Sequence, residues 1–151
     1  MLWSDEEIAD RILADIESGT SVNIGIGLPT VLLHRLRPDR EIMIHSENGI
    51  LGVSGVASGD RADPDIIDAG KNYVRLATGA STFDSSISFA MVRGGHIDLA
   101  VLGAYQVSSS GDIANWKLPR SSFAGGGGAA DICGGVKDVW VMLRHRAKSG
   151  E

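Results

Sequence analysis

The sequence predicts an α/β protein built on a largely parallel, open sheet flanked by helices. Segments with helical spacing alternate along the chain with short apolar runs. Two of those runs, Ile97–Gly103 and Val139–Leu143, are almost continuously apolar, as strands buried on both faces are. The twenty glycines, about twice the usual share of roughly 7%, fall in short groups at the ends of apolar runs, where strand-to-helix turns need them.

The elements follow in order. Ser4 with Glu7 makes a capping box; Ile8, Ile12, Leu13 and Ile16 repeat at helical spacing, and Gly19 supplies a stop, so a helix is expected over 5–18. Residues 21–27 read as a strand entering a glycine turn, with Pro29 placed to start a helix carrying Val31, Leu32 and Leu33. Glu41–His45 is the next strand and ends on Ser46-Glu47-Asn48-Gly49. From Ile50 to Pro64 glycine, serine and aspartate prevail without periodicity, which reads as a long, functional or mobile loop. Tyr73–Ala77 reads as a short strand. Ser81 and Asp84 mark a helix start, with Phe83, Ile87, Ala90 and Met91 on one face and Gly94-Gly95 as the stop. Gly125 to Gly128 precede a short helix over 129–136, before the last strand. Ligands of such sheets sit beyond the carboxyl ends of strands, where the turns at 46–49 and 125–128 are expected.

Composition narrows the function. At 151 residues, 43% hydrophobic and 22% charged, the chain reads as one folded domain, 1–151. A net charge of −5 with scattered Lys and Arg argues against nucleic acid. No apolar run reaches the roughly 18 residues of a membrane span, and the acidic start is unlike a secretory signal, so no membrane partner and a cytoplasmic location are expected. Cys133 is the sole cysteine, read as a small buried residue, so no intrachain disulfide and no thiolate zinc site are expected.

Several residues invite chemistry. Gly25-Ile26-Gly27-Leu28-Pro29-Thr30 departs from a dinucleotide fingerprint, because Thr30 replaces the third glycine and Pro29 removes a backbone donor; a tight turn is the favoured reading. His34, His45, His96 and His145 are dispersed. Only His45 and Glu47, at i and i+2, share a strand face, and two ligands do not make a metal site. Glu47, at a strand end before Asn48 and Gly49, is a carboxylate placed to face a cleft. Arg93-Gly94-Gly95-His96 suits either amides exposed to an anion or a helix C-cap, and Gly125 to Gly128 suit either anion binding at a helix start or a flexible loop. Lys71, considered alone, is a solvated lysine.

In sequence order, Gly25–Pro29, Ser46–Gly52, Asp68–Lys71, Ser88–Leu99, Leu102–Ser108, Gly111–Trp116 and Gly127–Asp131 resemble the markers of family I coenzyme A transferase β subunits. The likeness runs over nearly the whole chain and is nearest to the succinyl-CoA:3-oxoacid branch. It implies that Glu47 is the nucleophile, acylated and then converted to a CoA thioester, and that the Gly128 amide, beside Gly127, is an oxyanion donor. It also implies that Asn48 and Gly49 shape the nucleophile's turn, while Lys71 faces CoA. Succinyl-CoA with acetoacetate or 3-oxoadipate are the implied substrates. No cofactor or metal is implied, coenzyme A being a substrate, and an α subunit is expected as partner in an α2β2 assembly.

Thr78, Lys117–Arg120, Gly126 and Arg144 depart from the family's usual residues. Family β subunits also continue further, so the chain reads as a domain shortened at its C-terminus. A thioester hydrolase relative, an inactive shortened subunit and a ligand-sensing α/β domain are the competing readings.

Overall fold

The computed structural model describes residues 3–117 and 127–144. Helix α1 (Asp5–Asp15) opens on the expected capping box, with the Ser4 hydroxyl accepting from the Glu7 amide and the Glu7 carboxylate accepting from the Ser4 amide. It ends three residues earlier than the spacing predicts, because Ile16 turns to an extended conformation and enters the core at 2% exposure. Strand β1 (Ser21–Ile24) leads into a 3-10 helix, Leu28–His34, in place of the expected α-helix, and then into β2 (Met43–Ser46). Next come β3 (Ile50–Val56) and β4 (Val74–Thr82), α2 (Ser85–Arg93) and β5 (Leu99–Gly103). A small hairpin, β6 (Gln106–Val107) with β7 (Ile113–Ala114), precedes α3 (Ala129–Gly135) and β8 (Asp138–Met142).

The main sheet has the order β4-β3-β2-β1-β5-β8. Strands β2, β1, β5 and β8 are mutually parallel, as expected, whereas β3 and β4 are antiparallel. The loop expected from Ile50 is therefore corrected: its first half is a strand. Gly52 and Gly55, both at positive φ, interrupt the alternation of side chains, and the register slips on either side of Val53. Such bulges erase the period of two that would have announced a strand.

That period fixes the two faces elsewhere. Val22, Ile24, Ile44, Leu99, Val101 and Met142 point to one side, where Ile8, Ile12 and Leu13 of α1 and Leu32 and Leu33 of the 3-10 helix cover them. Ala100 and Leu102 point to the other, against Phe89 and Val92 of α2 and Ile132 of α3. Each fully buried aliphatic side chain stabilises the fold by about 1.5–3 kcal/mol relative to exposure. Helix α2 presents Ser88 and Val92 to the sheet, and Ile87 is 52% exposed, so its buried face is rotated from the one expected. Its N-cap is Asp84, which accepts from the Ser86 amide. Cys133 is exposed on α3, correcting the expectation of burial. Arg144 forms a two-pronged ion pair with Asp5 that ties the end of β8 to α1. Gly125, Gly126, His145, residues 118–120 of the Lys117–Arg120 departure and the chain end at 147–151 lie outside the described residues.

Candidate active site

Val22 and Ile24 of β1 and Ile44 of β2 are core hydrocarbons, whereas Asn23 and His45 turn to the other face of the sheet, toward α2. Asn23 and His45 are paired in the parallel register, and both are 0% exposed. The Asn23 amide nitrogen lies 3.2 Å from His45 Nδ1 and donates to Glu47 Oε2 at 3.1 Å. On the far side of the ring, His45 Nε2 lies 2.9 Å from Ser88 Oγ on α2. An amide nitrogen has two hydrogens and no lone pair to accept with. One goes to Glu47 and the other to Nδ1, which leaves the imidazole proton on Nε2, donated to Ser88. Burial lowers the His45 pKa to about 4, so the ring is neutral near pH 7. Asn23 Oδ1 is buried and has no hydrogen-bond partner among the described residues.

Glu47 stands just beyond the carboxyl end of β2, in the turn Glu47-Asn48-Gly49 that joins β2 to β3. Gly49 has φ 125°, and a Cβ there would lie 2.0 Å from the Phe83 carbonyl oxygen, so only glycine closes this turn. The Phe83 amide donates to the Gly49 carbonyl at 2.9 Å, fastening the turn to the chain entering α2. The Asn48 side chain donates to the Ile67 carbonyl at 2.7 Å, and the Ala69 amide donates to Ser46 Oγ at 2.9 Å. These two bonds dock the loop carrying Lys71 onto the Glu47 turn. Lys71 is exposed at φ 66°, a left-handed conformation held by its amide bond to the Asp68 carbonyl and by the bonds from Asn72 to the Asp68 carboxylate.

Gly127 and Gly128 lie immediately before α3. Gly127 has φ 49°, and a Cβ on Gly128 would come within 2.6 Å of the Phe89 ring. Helix α2 thus touches both parts of the candidate site, Ser88 holding His45 and Phe89 holding Gly128. Among the described residues no hydrogen bond joins Gly128 or Lys71 to Glu47. At the Gly94-Gly95 corner the amides of Gly94, Gly95 and His96 bond the carbonyls of Ala90, Val92 and Met91, as a helix C-cap does, so none is free for an anion. A groove of about 1130 Å³ lies between α1, residues 35–43 and the β3–β4 edge, and Glu47, Lys71 and Gly128 do not line it. The site is therefore defined by the convergence of polar groups at the strand ends.

Sequence reasoning paired His45 with Glu47 but missed Asn23 and Ser88. Asn23 carried a signal, a lone amide between Val22 and Ile24 in an apolar strand. Ser88 carried none, because a serine among apolar helix residues is ordinary.

Chemically, Glu47 is a half-buried carboxylate with one oxygen held by an amide, and no other described group bonds it. A carboxylate is itself a nucleophile toward an activated carbonyl and needs no general base. A model of the coenzyme A transferase family matches residues 6–151, around this site. The chain belongs to the coenzyme A transferase family. It is 47% identical over 149 residues to the β-type subunit of 3-oxoadipate CoA-transferase from Pseudomonas putida, covering 98% of this chain and 70% of that one. It is 44% identical to the β-type subunit of the probable succinyl-CoA:3-ketoacid coenzyme A transferase from Bacillus subtilis, over 97% of this chain and 68% of that one. In fold it is similar to an acyl-CoA transferase apoenzyme from Escherichia coli O157:H7, with a TM-score of 0.67 at 21% identity, over 93% of this chain and 24% of the longer one. The chain is thus a coenzyme A transferase of the β-subunit type, its candidate nucleophile at the sheet's strand ends.

Proposed function

We propose that the chain transfers coenzyme A between succinyl-CoA and a 3-oxoacid, acetoacetate or 3-oxoadipate, through covalent intermediates on Glu47, together with an α-type subunit in an α2β2 assembly. The observation that carries the reading is the Glu47 carboxylate, gripped at Oε2 by Asn23 and left with Oε1 to react.

Oε1 attacks the thioester carbonyl, the C–S bond breaks, and the products are an acyl-glutamyl anhydride and CoA thiolate. The thiolate then attacks Glu47 Cδ and releases the first acid, which leaves with Oε1, so Glu47 carries CoA as a thioester. The acceptor carboxylate reverses the two steps and restores Glu47. Each addition builds negative charge on an oxygen, and one well-placed donor is worth on the order of 10²–10³ in rate. The Gly128 amide, next to Gly127 at positive φ, takes that part. Asn48 and Gly49 hold the nucleophile's turn, and Lys71 offers its charge to an anionic group of CoA. Water must be kept from the anhydride, which is the work of the partner subunit closing over the strand ends.

Intact and peptide mass spectrometry tests the reading. The chain is assembled with its α-type partner, exposed to an acyl-CoA, and treated with borohydride or hydroxylamine. A mass change on the peptide containing Glu47, absent in Glu47→Ala, is expected. An unchanged peptide in an assembled complex overturns covalent transfer, and CoA release that needs no acceptor acid identifies a hydrolase instead.

A further inference from the structure

An asparagine side chain has two orientations that fill nearly the same space, with the NH2 and the carbonyl exchanged. At Asn23 the choice matters, because the carbonyl turned toward Glu47 would set a dipole's negative end against a carboxylate. The carbonyl end does not make the choice, since Oδ1 has no hydrogen-bond partner among the described residues. Its neighbours in β1, Val22 and Ile24, are packed hydrocarbons. The group that selects the orientation lies across the strand pair, where His45 Nδ1 sits 3.2 Å from the same nitrogen that meets Glu47.

The ring is itself held in place. Ser88 Oγ is 2.9 Å from Nε2, the residue is 0% exposed, and its backbone amide is bonded into α2 through the Asp84 carbonyl. Phe83 lies nearly parallel to the imidazole, at 18° and 6.5 Å between centroids. The glutamate turn, two strands and a helix are thereby joined by a line of three buried side chains.

We infer that His45 is a positioning residue: as the Nε2–H tautomer anchored on Ser88, it accepts from Asn23 and so keeps that amide's NH2 aimed at Glu47. It touches no substrate and moves no proton in the transfer. Its action is to fix one oxygen of Glu47 while the other reacts. The same carboxylate with an unheld carboxamide beside it would sample non-attacking orientations, and small misplacements of a reacting group cost on the order of 10²-fold in rate.

The inference rests on Glu47 being the acylated carboxylate, and the tests separate the two. In the assembled complex, His45→Leu removes both ring contacts and is expected to lower kcat by about 10²-fold, with KM for acyl-CoA changed by less than about threefold. His45→Gln offers both an acceptor and a donor, and is expected to recover most of the loss. A folded His45→Leu complex with near-normal kcat overturns the inference, as does a folded His45→Gln complex as slow as His45→Leu, since volume alone would then explain both. If His45→Leu does not fold, Ser88→Ala keeps the ring and frees its tautomer, and the same fall in kcat is expected; an unchanged kcat overturns the inference. Nitrogen-15 spectra of the wild-type complex with labelled histidine read the tautomer directly. A protonated Nε2 and bare Nδ1 are expected, and a protonated Nδ1 overturns the inference whatever the activity. By contrast, full transfer activity in Glu47→Ala removes the reading of Glu47 and leaves the tautomer result standing.

Discussion

Strand β1 carries two polar clusters on the same face, one at each end, and they are built differently. At the amino end the Ser21 amide and hydroxyl both donate to Asp98 Oδ2, at 2.9 and 2.6 Å, the Asp98 amide donates back to Ser21 Oγ, and Lys137 pairs with Oδ1. That cluster is closed, and it staples β1 to β5 and to the start of β8. At the carboxyl end Asn23, His45 and Ser88 form a line that stops on a carboxylate, and among the described residues one oxygen of that carboxylate is free and one buried carbonyl oxygen goes unanswered. An unsatisfied buried acceptor costs about 1–3 kcal/mol. Folds keep such defects where chemistry needs them, which supports the proposal that the second cluster is the working end and the first a structural fastening.

The strongest test of that contrast is Glu47→Gln, which keeps the shape and loses the nucleophile. Transfer by the assembled complex is expected to fall by more than about 10³-fold, as removal of a nucleophile does, with the melting temperature nearly unchanged. Activity within tenfold of wild type would make the carboxyl end merely another fastening. Gly49→Ala comes next, because the new Cβ meets the Phe83 carbonyl in a left-handed turn. A loss of roughly 3 kcal/mol is expected, read as a melting point lower by about 10 °C.

The two clusters also differ in their dependence on pH. His45 is lowered by burial to about 4 against 6.5 for a free imidazole. The unfolded chain therefore binds the extra proton between those values, and stability is full above pH 6.5 and falls as the pH drops toward 4. The loss amounts to about 3 kcal/mol at 1.36 kcal/mol per unit. Denaturant titrations across that window should show the slope in the wild type and its absence in His45→Gln. Asp98 is held far below the ordinary carboxylate range by Lys137 first, and then by Ser21. Its contribution is present above about pH 4 and fades only in stronger acid. Asp98→Ala is the smallest effect, with about 1–2 kcal/mol of stability lost, less acid sensitivity below pH 4, and kcat unchanged within about twofold. A large fall in kcat would show the amino-end cluster to be part of the site.

Much of this was legible in the residues. The capping box at Ser4, the strands around Ile44, Val101 and Val141, and the carboxylate at a strand end all follow from local patterns. Strand β3 was hidden because Gly52 and Gly55 break its alternation with bulges. The buried face of α2 was misplaced because Ser88, a small polar residue, occupies the position facing the sheet, while Ile87 is left outside.

Sequence alone determined the alternation of helices and strands and put Glu47 at a strand end, because those depend on side-chain period and on neighbours close along the chain; the clash that reserves the Glu47 turn for Gly49 is with the Phe83 carbonyl, a contact of the folded chain. Only the tertiary structure decided that Asn23 stands between His45 and Glu47 and that Ser88 closes the line. Those contacts span 22, 24 and 43 residues. They exist because the parallel register sets Asn23 opposite His45 and the crossover through α2 returns Ser88 to the same face.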